Sequence, residues 1–232
     1  MKNWFIAVAA LWALSLSGAQ AGDKTVLVEL FTSQGCSSCP PADALLEELA
    51  TRDDLVALAF HVDYWDYLGW KDTMGDPAHT DRQKAYARVA GHRSIYTPQM
   101  IVGGTEHVVG HKPMAVAGAI EQARAGLPPI ALSIELVGDR AVITADPAPD
   151  LPGRMVVQLV QYIPRHNVSI KRGENAGRVV TYVNAVTNVR QLGRWDGRHG
   201  LRLRANIDTG QAVAVIIQEA GPGRVLAAAV LP

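Results

Sequence analysis

Phe31-Thr32-Ser33-Gln34-Gly35-Cys36-Ser37-Ser38-Cys39-Pro40-Pro41-Ala42-Asp43 is the stretch that decides the fold. Just before and into it, Thr25 to Thr32 is a β-branched, mostly apolar run, which predicts a strand buried on both faces. Ser33-Gln34-Gly35 breaks that run. Further on, Ala42, Leu45, Leu46, Leu49 and Ala50 fall at helical spacing and mark one face of a helix. Proline suits the first helical turn, where its missing N–H has no intrahelical partner. The helix therefore begins at or just before Pro40. Two cysteines thus stand at the opening turn of a helix that follows a buried strand. Residues three apart on a helical turn share a side, so the two sulfurs can meet. The free N–H groups and dipole of a helix start favour an anion. Cys36 gains most from this and is expected to be the attacking thiolate, with Cys39 resolving the mixed disulfide.

Working outward, Leu55 to Val62 predicts a second buried strand, followed by the aromatic and acidic stretch Asp63-Tyr64-Trp65-Asp66-Tyr67-Leu68-Gly69-Trp70. A helix is expected from about Ala78 to Ala90. Tyr96-Thr97-Pro98-Gln99-Met100-Ile101-Val102 leads into a third strand, Gly103-Gly104 is a hairpin signal, and Glu106 to Val109 makes a fourth strand. Pro113 opens a helix through about Ala125. The order β-α-β-α-β-β-α implies a small mixed sheet with helices on its faces. In such sheets ligands sit beyond the carboxyl ends of the strands. His61, Tyr64 and Trp65 are therefore candidate substrate-binding residues beside the cysteines; packing of the aromatics is the plainer alternative.

The pattern changes at Gly126-Leu127-Pro128-Pro129. Beyond it, Ile130 to Val137, Ala141 to Ala145, Met155 to Ile163, Arg178 to Val186, Leu201 to Ile207, Val213 to Gln218 and Arg224 to Leu231 read as strands, which suggests an all-β antiparallel, sandwich-like unit. Arg172 to Arg178 reads as a polar, glycine-rich loop of the kind that can touch a ligand. At the other end, Lys2, the uncharged apolar run Trp4 to Leu16 and Ala19-Gln20-Ala21 have the layout of a secretory signal cleaved after Ala21. The apolar run is shorter than the ~20 residues a membrane-spanning helix needs. The expected organisation is a signal peptide over 1–21, an α/β domain over 22–126 and a β-rich domain over 130–232. That places the protein outside the cytoplasm, periplasmic or extracellular, with no stable membrane insertion. Lys plus Arg total 22 and Asp plus Glu total 22, so no nucleic-acid partner is expected.

Cys36 and Cys39 are the only cysteines. A single loop this short stabilises a fold little, so the pair is better explained by chemistry. The motif resembles the thioredoxin superfamily over about Lys24 to Ala125. That resemblance implies a thioredoxin-like fold, a cis peptide at Thr97-Pro98 facing the disulfide, and a proton-relay role for Glu29. It also implies that Thr97 pairs with an extended substrate segment. The motif from Phe31 to Asp43, followed by His61-Val62-Asp63-Tyr64-Trp65-Asp66, is similar to a family of bacterial secreted proteins of unassigned function that are thioredoxin-like with a β-rich C-terminal region. The expected activity is thiol-disulfide exchange on protein or small-molecule thiols or disulfides, without a cofactor and without a resident metal. Two alternatives stay open: Cu(I) delivery through Cys36, Cys39 and a histidine such as His61, His92, His107 or His111, and a non-catalytic interaction module with a structural disulfide.

Overall fold

The computed structural model describes residues 19–20 and 24–231. The signal peptide expected over 1–21 lies outside the described residues except for Ala19–Gln20, which form a short strand, β1. From Val26 to Ala125 the elements follow the expected order. They are β2 (Val26–Thr32), α1 (Pro40–Leu49), β3 (Leu55–His61), α2 (Pro77–Val89), β4 (Gln99–Val102), β5 (Glu106–Val109) and α3 (Pro113–Ala125). Each helix has proline in its first turn, and Asp76 caps α2 by accepting from Ala78 N–H.

β2 and β3 are fully buried and parallel, which explains their unbroken apolar runs. β4 pairs antiparallel with β2, and β5 with β4. The alternate faces of β2 then bury differently. Val26, Val28 and Leu30 pack with Ala42, Leu46 and Leu49 of α1 and with Val116, Ala119 and Ile120 of α3. Leu27 and Phe31 pack on the other face with Tyr86 of α2.

The second half supplies β6 (Leu132–Val137), β7 (Arg140–Ala145), β8 (Met155–Ser169), β9 (Val179–Trp195), β10 (Leu201–Asn206), β11 (Ala212–Glu219) and β12 (Val225–Val230). A four-stranded sheet runs β1-β6-β7-β10. It packs across an apolar core that includes Leu132, Ile143, Val157, Trp195, Val215 and Leu226, giving the additional antiparallel layer expected from the sequence. The remaining strands continue the mixed sheet, in the order β12-β11-β8-β9-β3-β2-β4-β5. Thus strands from both sides of Gly126 share one sheet. The join is β9 against the edge of β3, at Ala59 and Ala185, which covers an edge that would otherwise be open. Asn184 locks it by donating to Ala57 O (2.8 Å). A second tie lies at Gly103-Gly104. Val225 N–H donates to Gly103 O (2.8 Å), and a Cβ on Gly104 would stand 2.4 Å from Gly223 O. Only glycine allows two backbones to pass so closely there, at φ +79.

β8 and β9 are longer than the sequence suggests. They run on as a hairpin arm past Pro164 and the exposed residues Arg165, His166 and Asn167. The ladder is interrupted at Pro164 and Asn184. Proline has no N–H to give, and Asn184 takes φ 48, a left-handed conformation that asparagine tolerates. Beyond this gap the pairing of Arg165 with Val183 through Ser169 with Val179 continues the arm in the same register. Among the described residues no helix is long and apolar enough to cross a membrane.

Candidate active site at the Cys36–Cys39 loop

β2 ends at Thr32, and the chain turns through Ser33, Gln34 and Gly35 to reach Cys36. Cys39 caps α1, with Ala42 and Asp43 N–H both donating to its carbonyl. Cys36 and Cys39 are joined by a disulfide. Cys39 is fully buried and Cys36 retains 4% of its surface, while Ser37 and Ser38 between them are exposed. Ser38 Oγ lies 3.5 Å from Cys36 Sγ.

The loop is held from several sides. The Thr97–Pro98 peptide is cis. Gly110 N–H donates to Pro98 O (2.9 Å), and a Cβ on Gly110 would stand 3.2 Å from the Cβ atoms of both Ala42 and Pro98. The proline therefore lies about one side chain away from the first turn of α1. Trp65 bridges Thr97 and the loop ahead of Cys36: its Nε1–H donates to Thr97 Oγ1 (2.7 Å), and its Cβ would be 3.2 Å from a Cβ on Gly35. Tyr64 donates to Gln83 Oε1 (3.2 Å), and burial pushes its hydroxyl up to about 12. Gln83 Nε2 in turn donates to Tyr96 O and Gln99 Oε1. Thus Thr97, Pro98, Trp65 and Tyr64 gather on one side of the loop, with the exposed Tyr67 ring beside Trp65.

His61 sits differently. It is fully buried, with Nδ1 2.8 Å from Asp72 Oδ2 and its ring edge-on to Tyr182 of β9. Asp72 Oδ2 also accepts from Gln34 N–H (2.8 Å). Burial opposes the charge on Asp72, but His61 and the N–H groups of Gln34 and Met74 outweigh it and hold the carboxyl below its usual range. Gln34 is itself clamped: Trp70 Nε1–H donates to its Oε1 (2.8 Å) and its Nε2 donates to Thr73 Oγ1 (3.0 Å).

Glu29 is buried, as a relay role would require, but both its oxygens are occupied. Arg82 Nε–H donates to Oε1 (2.7 Å) and Tyr86 O–H donates to Oε2. Burial disfavours the Arg82 charge, yet Glu29 and Tyr86 hold the guanidinium above its ordinary value. Gln158 and Gln218 complete this knot, tying α2 to the second half of the sheet.

Two residues not named as site candidates from the sequence also touch the cysteine loop or the helix turn that follows it. Asp43 is 5% exposed, and one oxygen accepts from Thr32 Oγ1–H (2.7 Å). Burial pushes its carboxyl up to about 7, against the pull of Thr32 and His61. A readable signal existed, since Asp43 follows Cys39 by four and lies on the apolar face with Ala42, Leu46 and Leu49. The second is Asn175, at the tip of the β8–β9 arm. Its Nδ2 donates to Gln34 O (3.0 Å) and Cys36 O (2.9 Å). The Arg172–Arg178 loop therefore reaches the cysteine loop, a contact 139 residues apart in sequence. Val168, Ile170 and Tyr182 pack with Trp70 and Met74 to fasten the arm there. Among the described residues no three His, Cys, Asp or Glu side chains gather closely enough to hold a metal ion.

Fold and site define a mixed α/β protein with an added antiparallel sheet and a C-x-x-C disulfide at the head of its first helix. More particularly, residues 27–218 match the model of the family described as "Protein of unknown function (DUF1223)", and the chain belongs to that family. A crystal structure of an Agrobacterium tumefaciens protein is similar, at 31% identity and TM-score 0.80, over 91% of this chain and 96% of that one. HBP35 of Porphyromonas gingivalis shares the fold at 16% identity and TM-score 0.63, over 90% of this chain and 74% of that one. No curated protein matches the chain.

Proposed function

We propose that this protein is an exported thiol-disulfide oxidoreductase of thioredoxin-like build. The observation that carries the reading is the disulfide at the N-terminus of α1 with a cis-proline about one side chain away from that helix turn. The strand order β3-β2-β4-β5, with α1 and α3 on one face and α2 on the other, supports the thioredoxin-like assignment. So does the match in element order.

In this reading Cys36 attacks and Cys39 resolves. The helix start stabilises the Cys36 thiolate. Thr97 offers backbone to an extended substrate, Pro98 presents no N–H of its own, and Trp65, Tyr64 and Tyr67 wall the approach. His61 serves from beneath the loop, through Asp72 and Gln34, rather than as groove floor. Glu29 is committed to Arg82 and anchors α2. Substrates are protein or small-molecule disulfides or thiols outside the cytoplasm.

The test is trapping. A Cys39→Ala chain expressed with its own N-terminus should accumulate mixed disulfides with partners in the exported fraction, released by reductant and absent from Cys36→Ser/Cys39→Ala. No adducts, with both thiols of the reduced protein alkylating like free cysteine, would end this reading. The near-complete burial of both sulfurs favours a second reading, a structural disulfide in an interaction module. That reading predicts a bond that resists glutathione.

A further inference from the structure

Asp76, His79 and Arg82 stand three apart along the cap and first turns of α2 and share one face. That face lines a cleft of about 450 Å³ together with Gln158 of β8 and Asn188 and Gln191 of β9. Small-molecule sites span ~300–1,000 Å³, and the cleft falls within that range. Neither cysteine lines it, so a site here is independent of the redox reading.

His79 marks the cleft as a site. It is 4% exposed, and its ring packs edge-on against Phe60. Nδ1 lies 2.8 Å from His61 O. A carbonyl oxygen only accepts, so Nδ1 carries the proton and the tautomer is fixed. Burial pulls the ring below its ordinary pKa, against the His61 carbonyl and the Asp76 charge. At neutral pH Nε2 therefore keeps a lone pair. No group among the described residues donates to Nε2. Nor is that nitrogen sealed off, since the sealed side-chain atoms without a partner are Asp43 Oδ2, His61 Nε2 and Asn175 Oδ1. The little surface left to His79 thus includes Nε2. His79 lines the cleft and a smaller cavity of about 250 Å³ beside it, and Asp76 and Thr187 line both with it. A buried acceptor that opens only to a cavity calls for a donor from outside the chain.

The charges around Nε2 decide the kind of donor. Arg82 gives Nε–H to Glu29, Nη1–H to Gln158 and Nη2–H to Tyr86, and Glu29 neutralises it. Asp76 gives Oδ1 to Ala78 N–H, where its charge meets the positive end of the α2 dipole, and Oδ2 is left to accept. Asn188 and Gln191 are exposed, and their amides both donate and accept. A cation would meet the helix start and Arg82. An anion would meet Asp76 and the lone pair of His79. Neutral groups that both give and take hydrogen bonds suit every wall, and hydroxyls are such groups.

We propose that the cleft between α2 and strands β8 and β9 binds a small neutral polyol, of glycerol to monosaccharide size. One hydroxyl donates to His79 Nε2, and others meet Asp76 Oδ2 and the amides of Asn188 and Gln191.

The experiment follows the full protein by NMR at neutral pH as glycerol or glucose is added, reading the Nε2 signal of His79 and the backbone amides of Ala78 and Thr187. Serinol and glycerate, the cationic and anionic counterparts of glycerol, are added in separate titrations. The free protein should show Nε2 unprotonated. The neutral probes should then move that signal saturably, and serinol and glycerate should bind several-fold more weakly. Asn188→Ala/Gln191→Ala changes two exposed side chains, so it should keep the fold and weaken the neutral probes about tenfold. Four results would each overturn the proposal: a proton on Nε2, charged probes that match the neutral ones, neutral probes that leave His79 unmoved, or a double variant that binds as well as wild type.

Discussion

Replacing Asp43 with asparagine removes a carboxyl that burial holds at about 7 instead of 3.8. The native state keeps this proton to a higher pH than the unfolded chain does. Between about pH 4 and pH 7 it therefore binds more protons than the unfolded state, and unfolding free energy falls as pH rises. Below that window both states are protonated and there is no penalty; above it the penalty is complete and flat. At ~1.4 kcal/mol per pH unit, the gap between 3.8 and about 7 caps the penalty near ~4 kcal/mol. Asparagine does not titrate, keeps the Thr32 bond through its oxygen, and escapes the penalty. The assay is urea unfolding of the disulfide form of both proteins across the window. Asp43→Asn should match wild type near pH 4 and gain steadily toward pH 8, by up to ~4 kcal/mol. Asp72 titrates below its usual range. Its stabilising contribution is present above that range and is lost only as pH falls through its lowered value, so it does not mask the trend. Titrating groups that do not interact with Asp43 cancel in the difference between the two proteins; His61 and Asp72, which act on its carboxyl, add to the measured slope. A stability difference that does not change with pH would refute the claim that Asp43 is buried against its own charge.

Three further predictions follow from particular contacts. Glu29→Ala strands the Arg82 guanidinium in the knot with Tyr86 and should cost about 3–5 kcal/mol in urea unfolding, well above Glu29→Gln, without altering the pH dependence traced to Asp43. Asn175→Ala frees Gln34 O and Cys36 O and should cost about 2 kcal/mol, with faster proteolytic cutting in the cysteine loop as its signature. Gly104→Ala puts a Cβ 2.4 Å from Gly223 O at a positive φ and should lower the unfolding free energy by about 2 kcal/mol or more, while Gly118→Ala, with open space around it, should not destabilise.

Much of the first half was legible because its signals are local. Proline in each helix start, the β-branched runs of β2 and β3, and Gly103-Gly104 each act within a few residues, and each element lies within a few positions of its expected place. The long arm was not legible. Pro164, Arg165, His166 and Asn167 have no strand-like alternation, and it is pairing with the partner strand that keeps them extended. Nor did the chain announce that β9 would seal the edge of β3, since that join rests on one backbone pair and the Asn184 amide. At the site, Cys36, Cys39, Thr97, Pro98, Trp65 and Tyr64 gather around or beside one loop. Glu29 attracted attention by its strand position, but the residue that claims it, Arg82, lies 53 positions away. Asp43 was written in the motif itself and was overlooked because the helical face was counted through its apolar members only. Asn175 had only its glycine-rich loop as a signal, and nothing local ties that loop to Cys36.

The most direct measurement is stopped-flow alkylation of the reduced protein across pH, read separately at each thiol by mass. If one sulfur at the head of α1 is poised for exchange, Cys36 should react at a rate that holds up well below pH 8, and Cys39 should stay protected until Cys36 is capped. Two thiols modified at equal rates, both fading together as pH drops below the range of ordinary cysteine, would contradict the account at its root.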